Sequence, residues 1–441
     1  MVLVLDPRKS SKRYFILSFS LLILLLLTDC LYYQQRIYPG VYIKNIHLGQ
    51  KTPREVEMIL RNADLTFIGP ESRAITATLE ETGIVLDYED IFSTGYIHGR
   101  QGKWPRNYYD RLIIAKEGVL IPFRYWVDDR KFSQVISYLE KAFNSEAEDA
   151  HFCINSSGNE VKLIPEKNGY RIKGEKLARL LEQNLSCPDL PLMIKIPYEI
   201  IPPKITALSL KEKGIVTLMS SFSTSFDSKN TDRVHNIKLA ASLLDNYILA
   251  PGEVLSLNAF FGDTTAEKGY RKAPIIVGNQ LVPGFGGGLC QISTTLYNTA
   301  LLANLEIIER HHHRLTVPYI DPGKDATISY NTRDLKLRNN KEHYILISTR
   351  VEGDTLTFSF FGGQMKERVE INTKTLAVFE SPVEYQTNPE LPPGQEEIIE
   401  GAPGCRVEVW KLIYEGEKLK SKEKISEDSY LPYPTIIQRG I

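Results

Sequence analysis

Pro283-Gly284-Phe285-Gly286-Gly287-Gly288-Leu289-Cys290-Gln291 is the stretch from which the rest of this 441-residue chain is read. A glycine run delivers one cysteine to the start of a helix, because Ile292, Leu296, Ala300 and Ala303 recur downstream at helical spacing and predict an amphipathic helix. A thiol in a first helical turn faces unpaired N–H groups and the positive end of the helix dipole, and both favour the thiolate. Taken alone, the same residues equally describe a tight turn and a small buried hydrophobe. The choice rests on what surrounds them.

Downstream come Glu309-Arg310-His311-His312-His313 and two β-rich runs, Leu315–Tyr319 and Ala326–Tyr330, the second headed by Asp325. A cysteine, then a histidine, then an aspartate can supply a nucleophile, its base and the group that orients the base. Cys290 would attack, His313 would take its proton and return it to a leaving amine, and Asp325 would fix the imidazole tautomer. The N–H groups of Cys290 and Gln291 would form part of an oxyanion hole, with Gly286, Gly287 and Gly288 letting substrate main chain approach. Three other readings stay open. Cys290 and the histidines have the chemistry of zinc ligands, although consecutive residues on an extended segment point to opposite faces. Asp325 is also placed to hydrogen-bond a turn at Pro322-Gly323-Lys324. Arg233 and Glu309 either hold a substrate carboxylate or pair with each other.

Upstream of the glycines, Val234, Ile237, Ala241 and Leu244 mark one face of a helix for which Asp232 is the expected cap. Pro251-Gly252-Glu253 is a turn, and Ile201-Pro202-Pro203-Lys204 is a proline-stiffened linker. Between residues 37 and 205 no phosphate loop, metal-ligand spacing or paired carboxylates stand out. Thr52 and Pro53 open one helix, Phe132–Phe143 and Lys176–Leu185 form two more, Val161–Pro165 is a short strand, and Asn168-Gly169-Tyr170 is a turn. Gly99 to Trp104 reads as a polar and aromatic surface loop.

At the N-terminus, Arg8, Lys9, Lys12 and Arg13 precede an apolar run, Phe15–Leu27, that Cys30 to Tyr33 extend beyond Asp29. This is the layout of a signal-anchor, with the bulk of the chain extracytoplasmic, and no small-x-small cleavage pattern follows. A cleaved signal or a lipoprotein signal at Cys30 is the alternative. Lys plus Arg number 53 against 54 Asp plus Glu, so bulk charge implies no nucleic-acid partner. The five cysteines are scattered, which excludes a disulfide scaffold, though an oxidising compartment would permit a Cys153–Cys187 bridge.

Several blocks together carry a resemblance: Arg233 with Asn236, Pro251-Gly252-Glu253, Asn258, Gly269-Tyr270, Gly286–Gln291, Ser293–Tyr297, Glu309-Arg310, His313, Val317, Tyr319, Asp325–Thr327 and Asp334. In this order they resemble the VanW family, named for an accessory protein found with glycopeptide resistance. The departure is Leu255-Ser256-Leu257, where the family usually has an aromatic. The middle region resembles the peptidoglycan-binding region that often precedes VanW domains, and Gly401 to Pro434 resembles a G5-like β module of cell-surface proteins. The resemblance implies a cell-envelope protein whose partner is peptidoglycan or its stem peptides, and whose groove is completed by Arg233, Asn236, Gln291, Glu309 and Arg310. By analogy, the Cys-His-Asp order matches papain-like and transglutaminase-like enzymes.

The expectation is therefore an α+β protein without cofactor or metal. Residues 1–34 form the cytoplasmic stub and anchor, 35–205 the wall-binding modules, 206–363 the VanW core and 364–441 a β-rich extension. The reaction expected is amide hydrolysis or transpeptidation on stem peptides; a wall-binding protein without turnover is the alternative.

Overall fold

Helix Pro7–Tyr32 carries the N-terminal apolar run. From Phe15 to Gln35 the chain is long and apolar enough to cross a membrane, with a mean hydropathy of 2.2 and no residue of that window buried. Both a membrane anchor and a signal peptide have this form. The computed structural model describes residues 7–103, 105–187, 192–277 and 280–440; Trp104, expected in the surface loop, lies outside them.

Two compact units follow from the packing: Met1–Glu148 with Lys167–Pro203, and Asp149–Glu166 with Lys204–Ile441. The division after Pro203 falls inside the proline-stiffened linker. The hairpin of His151–Ile154 and Val161–Ile164, expected within the first region, belongs to the second unit. Cys153 and Cys187 are both free thiols and do not form the bridge considered from the sequence.

In the first unit, Thr52 accepts from the Glu55 N–H while the Glu55 side chain accepts from the Thr52 N–H, so helix Pro53–Arg61 begins with both groups satisfied. Helices Asp129–Phe143 and Gly174–Ser186 place Leu139, Phe143, Leu177, Leu181 and Leu185 in one core with Leu65, Phe67 and Ile194. Those last three lie on neighbouring strands of one sheet, Asp64–Ile68 pairing parallel with Met193–Lys195. Gly169-Tyr170 is not a turn: Gly169–Ile172 is a strand paired antiparallel with Tyr198–Ile201. Arg100, in the expected surface loop, is committed to structure, its guanidinium lying over the Tyr38 and Tyr96 rings and donating to the carbonyls of Tyr33 and Arg36.

The second unit is built around helix Leu289–Leu302, here called the cysteine helix. It packs against a four-stranded antiparallel sheet in the order Thr217–Ser225, Thr355–Gly362, Ile345–Glu352, Tyr247–Leu249. Helix Thr231–Leu244 closes the core, contributing Ile237, Ala240, Ala241 and Leu244. Its cap is Asn230, whose side chain accepts from the Arg233 N–H, and not Asp232. Beyond residue 363 a long three-stranded antiparallel sheet, Glu367–Phe379, Gly404–Glu415 and Lys418–Tyr430, packs its Ile371 and Ile425 onto the same core. The expected amphipathic helix is in fact buried on nearly all sides, with Gln291, Ser293, Thr294, Thr295, Asn298 and Thr299 as inaccessible as Ile292 and Leu296. Apolar spacing alone could not show this, because the polar side chains are inside for the hydrogen bonds they make.

Candidate active site

The glycine run is a turn between the hairpin Lys272–Val277/Gln280–Phe285 and the cysteine helix. Gly286 and Gly288 have φ of +79° and +113°, which only glycine adopts without strain. A Cβ on Gly287 would lie 2.8 Å from the Pro274 carbonyl oxygen, and one on Gly288 would lie 2.9 Å from Ile237. The space above these glycines is thus filled by the protein itself, so their absent side chains serve packing and not substrate approach. Cys290 is the second residue of the helix and is partly buried. The Gln291 N–H, expected in an oxyanion hole, is occupied by the Gly288 carbonyl at 3.0 Å.

The polar residues of the cysteine helix grip the chain on both sides of Asp325. Asn298 Nδ2 donates to the Lys324 carbonyl at 2.7 Å. Ser293 and Thr294 hydroxyls donate to the Ala326 carbonyl, and the Ala326 N–H returns a bond to Thr294 Oγ1. Neither Leu315–Tyr319 nor Ala326–Tyr330 is a strand; both are irregular, and at Lys324 and Ala326 the helix side chains take the place of ladder bonds. This contact fixes the Asp325 carboxylate relative to Cys290.

Asp325 is 1% exposed, and it is fully committed. Oδ2 accepts from the His313 N–H and from His313 Nδ1, each at 2.6 Å; Oδ1 accepts from the Tyr430 hydroxyl at 2.5 Å and from Arg310 at 3.1 Å. Burial opposes its charge, but His313, Arg310 and Tyr430 outweigh burial and hold the carboxyl down at about 2. Burial would likewise push His313 down; the hydrogen bonds to Asp325 and to the Cys290 thiol win and raise it to about 9. For Cys290, burial pushes the thiol up, and the hydrogen bond and charge of His313, together with the Thr327 hydroxyl, bring it below its ordinary value. Cys290 Sγ lies 3.4 Å from Thr327 Oγ1. Of the three residues singled out from the sequence, His313 and Asp325 are in direct contact, and Cys290 lies near enough to feel the charge of His313.

The expected binding residues divide. Asn236 is fully buried and spends both ends on main chain, donating to the Arg271 and Gly287 carbonyls and accepting the Arg271 N–H. Gln291 is equally buried, held by Thr224, Ser225 and Arg233. Arg310 is buried between Asp325 and Asp428, and Glu309 binds Lys336 and His311. The Arg233–Glu309 pair considered from the sequence is therefore not made. Arg233 is different, being only partly covered. It donates to Gln291 Oε1 at 2.7 Å, sits over the Tyr319 ring and feels the charge of Cys290, and among the described residues no carboxylate comes within ion-pair distance of it. Burial pushes its guanidinium below its ordinary value. Tyr319 itself is pushed up, by burial and then by the Cys290 charge. The histidine triplet diverges: His311 turns to Glu309, His312 to the Tyr430 ring and His313 to Asp325. Among the described residues no group of three or more His, Cys, Asp or Glu side chains forms a metal site.

Sequence reading missed Ser293, Thr294 and Asn298 as the clamp on Asp325, although the polar run Ser293-Thr294-Thr295 inside an apolar helix was the available signal. It also missed Asp428 and Tyr430, for which local sequence carries no signal, since they lie more than a hundred residues from Asp325 or Arg310 in the chain.

Residues 232–361 match the family model described as "VanW like protein". Residues 75–188 match "Putative peptidoglycan binding domain" and 368–441 match "G5 domain". An uncharacterized protein of Bacillus subtilis (strain 168), YoaR, is 31% identical over 273 residues, 59% of this chain and 88% of that one. The vancomycin B-type resistance protein VanW of Enterococcus faecalis (strain ATCC 700802 / V583) is 34% identical over 116 residues, 25% of this chain and 42% of its own length. A solved IgA1 protease G5 domain aligns with 18% of this chain and 98% of its own, at 26% identity and a TM-score of 0.13. The fold and the matched segments define an α+β cell-envelope protein with wall-associated domains flanking a core domain. The chain belongs to the VanW family.

Proposed function

We propose that this chain is an extracytoplasmic, thiol-dependent enzyme acting on peptidoglycan stem peptides, by hydrolysis or transfer of an acyl group at an amide bond. The observation that carries this reading is the buried Asp325–His313 pair, in which the carboxylate holds the imidazole at 2.6 Å, beside a partly buried Cys290 thiol that His313 brings below its ordinary value. A thiol held below its ordinary value beside a histidine raised to about 9 favours transfer of the thiol proton to the imidazole.

The thiolate attacks the amide carbonyl carbon, forming a C–S bond. The C–N bond then breaks as His313 gives its proton to the departing amine, leaving a thioester on Cys290. Water, or the amine of a second stem peptide, attacks the thioester; its proton passes to His313 and the thiolate is restored. Arg233, a cation next to the thiol with no carboxylate within ion-pair distance among the described residues, is suited to hold a substrate carboxylate. The likeness to wall-associated domains on both flanks supports peptidoglycan as the partner, and the N-terminal apolar helix supports membrane attachment.

The domain matches also favour a second reading, a peptidoglycan-binding protein without turnover. Incubating the detergent-solubilised full chain with purified muropeptides and resolving the products by mass spectrometry separates the two. New or shortened muropeptides that vanish in Cys290→Ala support the enzyme. Binding that is equal in wild type and Cys290→Ala, with no product from either, establishes the binding module instead.

A further inference from the structure

The strands beyond residue 363 do more than flank the core. Strand Lys418–Tyr430 runs its last residues into the site, and its main chain continues the contact as the Leu431 N–H donates to the Arg314 carbonyl, next to His313. Tyr430 is 1% exposed. Its hydroxyl accepts from the Gly323 N–H at 2.7 Å and donates to Asp325 Oδ1 at 2.5 Å, so both its lone pair and its proton are directed. Two residues earlier, Asp428 accepts from Arg310 at 2.6 Å, both side chains being less than a tenth exposed. Gly323, in the loop that carries Asp325, lies against Val407, Val409 and Thr373 of the same sheet, leaving no room for a Cβ.

The geometry points to Asp428 and Tyr430 as positioning residues of the Cys290–His313–Asp325 site, supplied by the C-terminal sheet, so that this segment completes the site as well as flanking it. The inference rests on the thiol reading above and assigns these two side chains a part in it.

The physical reason is charge balance in a buried cluster. Arg310 lies against Asp325; alone with it, the guanidinium would neutralise the carboxylate and remove the reason for His313 to be a cation. Asp428 gives Arg310 a second counter-ion. One cation and two anions leave a net negative charge, which a protonated His313 cancels. Tyr430 restrains the other carboxylate oxygen, so that Oδ2 stays aimed at the imidazole. Burial and Asp325 push the Tyr430 phenol well above its ordinary value, so it remains a donor at any working pH. Among the described residues the other ionisable groups facing the pair are Cys290 and Tyr297 of the cysteine helix, Tyr319, His312 against the Tyr430 ring, and Arg233 beyond the thiol. None of these offsets the Arg310 charge with an anionic side chain that is ionised independently of the His313–Cys290 proton.

The test is iodoacetamide labelling of Cys290 as a function of pH, read peptide by peptide by mass spectrometry on the detergent-solubilised full chain. Cys405, which pairs with Tyr430 across the same sheet, reports whether that sheet is intact. In Asp428→Asn the midpoint of Cys290 labelling moves up by about one pH unit, making labelling roughly tenfold slower on the acid side, while Cys405 labelling is unchanged. Tyr430→Phe keeps the ring, removes one oxygen and moves the midpoint in the same direction by about a third of that factor. Should Asp428→Asn expose Cys405, Tyr430→Phe decides. An unmoved Cys290 midpoint in a variant whose Cys405 stays protected overturns the inference and leaves the contact as packing. The measurement needs no substrate, so full turnover in Cys290→Ala would sink the proposed reaction without touching this result.

Discussion

Two histidine–carboxylate pairs stand two residues apart in this chain and have different consequences. His311 Nε2 meets Glu309 Oε1 at 3.0 Å on a surface where both side chains are about a third exposed or more. His313 Nδ1 meets Asp325 Oδ2 at 2.6 Å with under a tenth of either side chain exposed. Both are imidazole–carboxylate pairs, and a surface pair in high dielectric is worth about 0–1 kcal/mol. The inner pair differs in being dry, in the second bond that Asp325 takes from the His313 main chain, and in the Arg310 and Tyr430 donors behind it. What makes one histidine part of a buried charge cluster and its neighbour a surface residue is therefore enclosure and the neighbours' charges, not the local triplet.

The largest effect expected from breaking this contrast is on turnover. Removing the sulfur in Cys290→Ala abolishes muropeptide product, a loss of at least about 10³-fold if the chain is the enzyme proposed. His313→Ala should approach that loss while His311→Ala stays within about twofold, both read as initial rates on the same substrate; equal losses would dissolve the comparison.

Stability comes next. Asp325→Asn leaves Arg310 and His313 short of a buried counter-charge and should cost about 3–5 kcal/mol in denaturant unfolding. Glu309→Gln, at the partly exposed pair, should cost less than about 1 kcal/mol.

A smaller effect is the pH dependence. His313 is raised from 6.5 to about 9, so its contribution to stability is complete below its unfolded value and is lost as pH rises through about 9. Asp325 is lowered from 3.8 to about 2, so its contribution is complete above the unfolded value and is lost as pH falls towards about 2. Thermal unfolding at pH 7 and pH 9.5 should therefore show a fall in Tm in wild type and in His311→Asn that is smaller in His313→Asn. An equal fall in all three would mean that His313 is not held as a cation. The smallest expected change is at the entrance to helix Thr231–Leu244, where Asn230→Ala removes the acceptor for the Arg233 N–H at a cost of about 1 kcal/mol, with the Cys290 labelling profile unchanged.

Much of this molecule is legible in its residues. The capped start at Thr52 and Pro53 and the proline-stiffened linker ending near Pro203 are local, and turn and cap chemistry acts over a few residues. The glycine run, the cysteine and the order of His313 and Asp325 were visible too, because thiol, imidazole and carboxylate are distinct residue types. The errors share one cause. Asn236, Gln291 and Arg310 looked like groove residues, and Asp325 looked like the head of a strand, because a polar side chain in a sequence carries no sign of whether protein or solvent will meet it.

The sequence by itself determined many of the local elements and singled out Cys290, His313 and Asp325, since both follow from short-range propensity and side-chain chemistry. Only the tertiary structure decided that Ser293, Thr294 and Asn298 clamp the Asp325 segment, that the glycines are filled by Pro274 and Ile237, and that Asp428 and Tyr430 stand behind the carboxylate. The reason is that charge balance and hydrogen-bond saturation are properties of an enclosed volume, and that volume is walled by residues up to a hundred or more positions apart.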